Sequence, residues 1–185
     1  MNKKSKQIII YMCVIAMFSA LAFVVTAFGA FPIFAGAGYL NFSDAFIFAV
    51  AALINPWVGG FVGGITGMLA DMYAGYMNFA FFTLVIKFIE GVVSGYLFKF
   101  LISFGNKSKI EYLWKAMVSF MVGGIIMAAL YMIPDYYAMY EDTKIIFVDL
   151  GFNTLQGLVN AVLGSFIYVS LYKVKDRIFL NNIER

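Results

Sequence analysis

The sequence contains no histidine and only one cysteine. Without histidine, the chain has no His-ligated metal site, no Ser-His-Asp triad and no HExxH zinc site, which excludes most intramembrane proteases and many membrane-bound hydrolases. Cys13 has no second cysteine to pair with, so an internal disulfide is impossible and the redox compartment is not encoded. A Walker motif is also missing, so any ATP must come from partner proteins. We therefore predict no catalytic residues, no metal and no cofactor.

Charged residues are scarce as well. They make up 12% of the chain against 63% hydrophobic residues, and the mean hydropathy is +0.89. Soluble domains carry roughly one quarter charged residues. The apolar residues form runs of about twenty, without the ten-residue alternation that is typical of an outer-membrane β-barrel. The sequence therefore predicts an all-α integral membrane protein embedded in a lipid bilayer, and no nucleic acid partner is expected.

We predict six transmembrane helices that form one bundle and a single domain over residues 1–185. The predicted spans are 7–28, 43–55, 57–76, 79–103, 112–133 and 148–172. Eleven of the 13 basic residues fall at the N-terminus, at the connection between spans four and five, or at the C-terminus. By the positive-inside rule these regions are cytoplasmic. The expected protein is thus a multi-pass, N-in/C-in protein of the bacterial plasma membrane.

The second span is too short to cross the bilayer. In "LNFSDAFIFAVAALINP", residues 40–56, about a dozen residues separate Asp44 from Pro56, whereas a full crossing needs about twenty. The helix is therefore expected to begin below the outer surface, with Asp44 facing a cavity. A short helix at membrane depth is a pointer to a binding site in transporters. The competing interpretation is a first-turn acid that the helix dipole favours.

Other polar residues lie inside predicted spans, where each costs at least a few kcal/mol if it faces lipid. Two spans carry them on one narrow face, as 100° steps show. These two stripes are Thr83, Lys87, Glu90 and Ser94 on span four, and Asp149, Asn153, Gln156 and Asn160 on span six. Asp71 falls in the outer half of span three. The stripes predict a polar chamber that opens outward, although an internal Lys87–Glu90 ion pair and interhelical amide bonds are alternative roles.

The charges and aromatic residues suggest what such a chamber accepts. Four carboxylates (Asp44, Asp71, Glu90 and Asp149) face one lysine, Lys87, so an anionic ligand is disfavoured. One or more of these acids should be protonated, paired or held for a cationic or strongly donating ligand. Aromatic residues cluster near the outer ends of the spans: Tyr39, Phe42, Phe46, Tyr73, Tyr76, Phe79, Tyr136 and Tyr137. They form either an interfacial belt or a sandwich for a flat ring.

Small residues mark two packing faces. Gly60, Gly64 and Gly67 share one face of span three with Asp71, so another backbone can approach closely below that acid. On span one, Ala16 and Ala20 form a small-xxx-small patch. This patch is either internal packing or a docking face for another membrane subunit.

Two segments carry a resemblance to a known family. The segments "YLNFSDAFIFAVAALINPWVGGFVGGITGMLADMYAGY" and "FTLVIKFIEGVVSGYLF", with the Ala16/Ala20 patch and six helices, resemble the S components of energy-coupling factor (ECF) transporters, in the riboflavin-type or a related vitamin branch. The resemblance implies high-affinity capture of riboflavin, or of a pyridoxine or hydroxymethylpyrimidine compound, from outside. A histidine or aromatic signature of a thiamine-type pocket is missing.

The resemblance also implies partners and residue roles. The partners are a membrane coupling (T) subunit, contacted by Ala16 and Ala20, and two cytoplasmic ATPases, which together form an ABC-type importer. The loop 29–42 would gate the pocket. The predicted substrate-binding residues are Asn41, Asp44, Asp71, Lys87, Glu90, Asn153 and Gln156.

Two other classes of function stay open. One is a stand-alone, proton-coupled secondary transporter in which Asp71, Lys87 and Glu90 relay protons. The other is a membrane enzyme that uses Asp71 and Glu90 for acid/base chemistry, although no nucleophile or metal constellation accompanies them.

Overall fold

Six α-helices and a short hairpin make up the computed structural model over the residues it describes, which are 2–32, 39–105, 108–139 and 143–175. The helices are α1 (Lys3–Gly29), α2 (Asp44–Leu53), α3 (Pro56–Ala74), α4 (Met77–Ile102), α5 (Lys109–Pro134) and α6 (Thr143–Lys175). Strands β1 (Phe31–Pro32) and β2 (Tyr39–Leu40) pair antiparallel, and a π-helical turn (Asp135–Met139) continues α5. The predicted all-α bundle of six helices is confirmed.

Local capping explains several helix boundaries. The side chains of Asn2, Asn55 and Ser108 each accept a hydrogen bond from a backbone N–H in the first turn of α1, α3 and α5. Pro56 follows Asn55 at the first helical position, where its missing N–H costs nothing. Gly75 ends α3 with φ of 87°, a left-handed conformation that glycine adopts without strain.

Helix α2 is short and lies at the centre of the bundle. Its 10 residues extend about 15 Å, and all of them except Phe46 are buried. It packs against α6, α3 and α4. Among the described helices, α1, α4, α5 and α6 are long and apolar enough to cross a membrane. The prediction that the second span is too short to cross is therefore confirmed.

Glycines allow neighbouring helices to approach closely. A Cβ atom added at Gly60 or Gly64 would lie 2.9 Å from the Phe88 carbonyl oxygen or 2.8 Å from that of Leu84, so α3 rests directly on the α4 backbone. Helices α5 and α6 meet at Gly124 and Gly157 in the same way. The packing face predicted on span three is thus confirmed.

Aromatic residues fill the half of the bundle that is predicted to face the cytoplasm. Phe48 stacks on Phe120 with ring centroids 5.0 Å apart, and Phe98 meets Tyr168 edge-on at 4.7 Å. These four side chains belong to one buried cluster. The core of this half is therefore largely aromatic and apolar, although Lys115, Ser119 and Ser165 are buried in the helices around it.

Candidate functional site

A cavity occupies the opposite half of the bundle, bounded by α1, β2, α2, α3, α4, α5 and α6. Counted up to its open mouth, and so including some solvent space, the cavity encloses about 640 Å³. Of the predicted binding residues, five line the cavity: Asn41, Asp71, Lys87, Asn153 and Gln156. The bundle thus contains a polar chamber. The span-four and span-six stripes line it only in part, because Glu90, Ser94 and Asn160 lie outside its wall.

A buried ion network lies directly behind the cavity wall. Lys87 Nζ is 2.7 Å from Asp44 Oδ1 and 3.1 Å from Glu90 Oε2. Asp44 Oδ2 accepts a hydrogen bond of 2.8 Å from Gln156 Nε2. Both carboxylates are fully buried, and neither lines the cavity. The expectation that Asp44 faces the cavity is thus wrong, because Lys87 and Gln156 occupy both of its oxygens.

The amides of α6 hold the chain segment that precedes α2. Asn160 Oδ1 accepts a bond from the Ala45 backbone N–H at 3.1 Å, and its Nδ2 donates to the Asn41 carbonyl at 2.9 Å. Gln156 Oε1 accepts from the Asn41 N–H at 2.9 Å. Asn160 therefore satisfies one of the free N–H groups at the start of α2, where Ser43 makes no capping bond. The span-six stripe therefore both bonds α6 to the segment before α2 and contributes residues to the cavity wall.

Asp71 is bonded to the segment that follows the first loop. Tyr39 Oη donates to Asp71 Oδ1 at 2.7 Å, while the buried Oδ2 has no partner. Burial, together with the charge of Asp71, raises the pKa of the Tyr39 phenol, so the phenol keeps the proton that it donates. The sequence suggested no partner for Asp71 within its own span. The partner comes from a residue 32 positions earlier.

Aromatic rings form another part of the wall. Tyr39 and Tyr76 lie with ring centroids 5.8 Å apart, and Phe79 lines the cavity beside them. Tyr131 Oη donates to Thr83 Oγ1 at 3.0 Å, and the Tyr131 ring lies 6.0 Å from Lys87 Nζ. By contrast, Phe42, Tyr73, Tyr136 and Tyr137 are exposed, as expected for an interfacial belt.

Four polar residues that line the cavity were not predicted from the sequence: Thr26, Ser43, Tyr131 and Asp135. Asp135 lies in the π-helical turn after α5, is 2% exposed, and has an Oδ2 atom without a partner. It neighbours Asp149, whose Oδ2 accepts from Asn153 Nδ2 at 2.5 Å. The available signal was position, since an acid directly after span five lies at the same membrane level as the acid that opens span six.

The structure also bears on the predicted docking patch, the proposed gating loop and metal binding. Ala16 and Ala20 are exposed on α1, which packs mainly against α3. Residues 33–38 of the proposed gating loop lie outside the described residues, as do residues 140–142 between the π-helical turn and α6. Among the described residues, no group of three His, Cys, Asp or Glu side chains is placed to hold a metal ion.

The chain is similar to a known family and to known proteins. The family model of the "ECF-type riboflavin transporter, S component" matches residues 6–173. An uncharacterised Pyrococcus woesei protein is 42% identical over 105 residues, or 57% of this chain and 64% of its own length. The thiamine precursor transporter HmpT of Lactococcus lactis subsp. cremoris is 32% identical over 95 residues, or 51% of this chain and 55% of its own length. The chain thus matches less than two thirds of either relative.

A solved structure shares the fold. It is described as the S component of a bacterial ECF transporter, has 20% sequence identity to this chain and superposes with a TM-score of 0.56. The match covers 98% of this chain and 99% of the other. At this identity the likeness concerns the arrangement of the helices.

Proposed function

Given that this chain belongs to the family of ECF-type riboflavin transporter S components, we propose that its cavity captures a flat, water-soluble vitamin or vitamin precursor from outside the cell. The family consists of substrate-binding subunits of vitamin-type transporters, and the chain is a multi-pass protein of the plasma membrane. One observation carries the proposal. A cavity at membrane depth combines hydrogen-bonding groups from α3, α4 and α6 with the rings of Tyr39, Tyr76 and Phe79.

Riboflavin is the first candidate ligand, because the matching family is the riboflavin type. A smaller heterocycle of the pyridoxine or hydroxymethylpyrimidine class is the second candidate. The similarity to a thiamine precursor transporter favours it. Both ligand types are flat rings that bear hydrogen-bonding groups, which suits an aromatic and polar wall.

Ligand-dependent stability tests this proposal directly. We expect one member of a panel containing riboflavin, pyridoxine, hydroxymethylpyrimidine and thiamine to raise the melting temperature of the detergent-solubilised protein by about 5 to 10 °C at one hundred times its Kd. A ligand that binds only the folded state must stabilise it. Ribose and adenine serve as controls and should leave the midpoint unchanged. A panel without a single stabilising compound would refute vitamin capture.

Coupling to a T subunit and two ATPases is the second part of the proposal. Helix α1 packs mainly against α3. Ala16 and Ala20 lie exposed on it, near the exposed side chains of Met12 and Met17. Small residues allow another helix to approach closely in a membrane. These two alanines are therefore the proposed docking point for the coupling subunit.

Enlarging this patch should separate docking from ligand binding. We expect Ala20→Leu to weaken association with the coupling subunit by about tenfold, because the added side chain fills the close approach. Ligand-induced stabilisation should persist. Ala129→Leu is the matched control, since Ala129 is exposed on α5. The measurements are co-purification and ATP-dependent uptake into liposomes.

The uptake assay also decides between coupled and stand-alone transport. Liposomes that contain this chain alone should show no uptake driven by a pH gradient, whereas addition of the coupling subunit, the ATPases and ATP should produce uptake. Gradient-driven uptake by the chain alone would favour the proton-coupled alternative. Equal association of Ala20→Leu and the unmodified protein would contradict the docking assignment.

A further inference from the structure

Two carboxylate oxygens in the cavity have no hydrogen-bond partner. They are Asp71 Oδ2 and Asp135 Oδ2, from residues that are 6% and 2% exposed. Both residues line the cavity. Buried polar atoms in folded proteins are almost always satisfied, so two free acceptors in one cavity indicate donors that a ligand supplies.

Each acid has one further polar neighbour, Thr83 beside Asp71 and Asp149 beside Asp135, but in this geometry neither neighbour bonds to the free Oδ2 atom. Asp71 already uses Oδ1 to accept from the Tyr39 phenol. Asp135 neighbours another acid, Asp149, whose Oδ2 is held by Asn153. Both Oδ2 atoms are therefore available to accept a hydrogen bond from a ligand in the cavity.

The positive charge of Lys87 in the cavity wall is already paired with buried carboxylates. Among the described residues that line it, Lys87 is the only basic side chain. Its Nζ lies within 3.1 Å of two buried carboxylates, those of Asp44 and Glu90. An anionic ligand would thus meet three lining acids without a free cation to balance it.

We propose that the ligand presents a donor nitrogen, either an amino group or a protonated ring nitrogen, to Asp71 Oδ2, and that the cavity rejects phosphorylated forms of the same vitamin. Asp135 and Asp149 form the second acidic group of the wall and oppose the entry of anions. This inference rests on the proposed function and names the chemistry of the ligand within it. Charge-assisted bonds from N–H donors to carboxylates are among the strong hydrogen bonds in proteins.

Matched ligand pairs test the inference on the full-length protein in lipid nanodiscs. Calorimetry would compare hydroxymethylpyrimidine with its phosphate ester and with its deaminated analogue, and riboflavin with phosphorylated riboflavin and with a flavin methylated at the ring imide nitrogen. For whichever parent compound binds, we expect the phosphate to bind at least about 100-fold more weakly and the donor-lacking analogue about tenfold more weakly.

Variants then assign the donor contact to Asp71. Asp71→Asn should weaken the parent compound about tenfold and leave the donor-lacking analogue nearly unchanged, because only the parent loses a charge-assisted bond. Tyr39→Phe is the control. It removes the bond to Oδ1 but keeps the carboxylate, so the preference for the parent should persist.

The possible results distinguish the donor contact at Asp71 from vitamin capture itself. Equal affinity for a parent and its phosphate, or for a parent and its donor-lacking analogue, would overturn the inference and leave vitamin capture intact. The same holds if Asp71→Asn weakens both members of a donor pair to the same extent. A protein that binds no compound of either series, and neither pyridoxine nor thiamine, would overturn vitamin capture, and the inference with it.

Discussion

Lys87→Met is expected to lower the melting temperature of the detergent-solubilised protein by about 10 °C or more, or to prevent folded protein from accumulating. The Lys87 ammonium is the shared partner of Asp44 and Glu90, at 2.7 and 3.1 Å, and all three side chains are buried. Removing one partner of a buried ion network leaves uncompensated charge and costs about 3–5 kcal/mol. Methionine retains most of the side-chain volume, so loss of the charge dominates the effect.

Two further variants test whether loss of the Lys87 charge causes the destabilisation. Lys109→Met changes an exposed lysine at the start of α5 and should leave the midpoint within about 1 °C, because surface substitutions rarely alter stability by more than a few tenths of a kcal/mol. Combining Lys87→Met with Asp44→Asn should recover part of the lost stability, since one of the two stranded carboxylates becomes neutral. A midpoint for Lys87→Met equal to that of the unmodified protein would contradict the assigned role of the network.

Contacts within a helix were readable from the sequence, and contacts between distant segments were not. The Lys87–Glu90 pair is three residues apart on one face of α4, so helical periodicity alone places both groups together. Asp44 and Lys87 are 43 residues apart, and Tyr39 and Asp71 are 32 apart. Periodicity gives the direction of each stripe but not the register between helices, so the partners of Asp44 and Asp71 could not be predicted.

The errors at Asp44 and Asp135 have physical reasons. A short helix with an acid in its first turn predicts that the acid faces the cavity. In the structure α6 packs against α2, and Gln156 bonds to Asp44 and separates its carboxylate from the cavity. For Asp135, the sequence predicts that span five ends at residue 133, directly before Pro134, which places Asp135 outside the span. The chain instead continues as a π-helical turn, which keeps Asp135 on the cavity side.

The contact between α5 and α6 holds part of the cavity wall together. Helix α5 contributes Tyr131 to the wall, the turn after it contributes Asp135, and α6 contributes Asp149, Asn153 and Gln156. The two helices touch through the backbones of Gly124 and Gly157. Gly157 lies one residue after Gln156, so any separation of the helices at this contact changes the spacing of the cavity wall.

Gly157→Leu is therefore expected to destabilise the protein by about 3 kcal/mol, a fall of about 10 °C in melting temperature, and to weaken ligand binding. A Cβ at position 157 would lie 2.7 Å from the Gly124 Cα and 2.9 Å from its carbonyl carbon. These are backbone atoms that cannot rotate away, so the helices must move apart. Thermal melting and ligand calorimetry measure the two effects.

Gly151→Leu is the matched control for this substitution. Gly151 lies on the same helix, is exposed, and has nothing within 4 Å of an added Cβ. We expect this variant to be neutral or slightly more stable, because glycine in a helix interior costs about 1 kcal/mol relative to good helix formers. If both variants melted at the same temperature, the loss at position 157 would reflect helix propensity or bulk in the membrane. Only a fall specific to Gly157 supports the view that close α5–α6 contact sets the shape of the binding cavity.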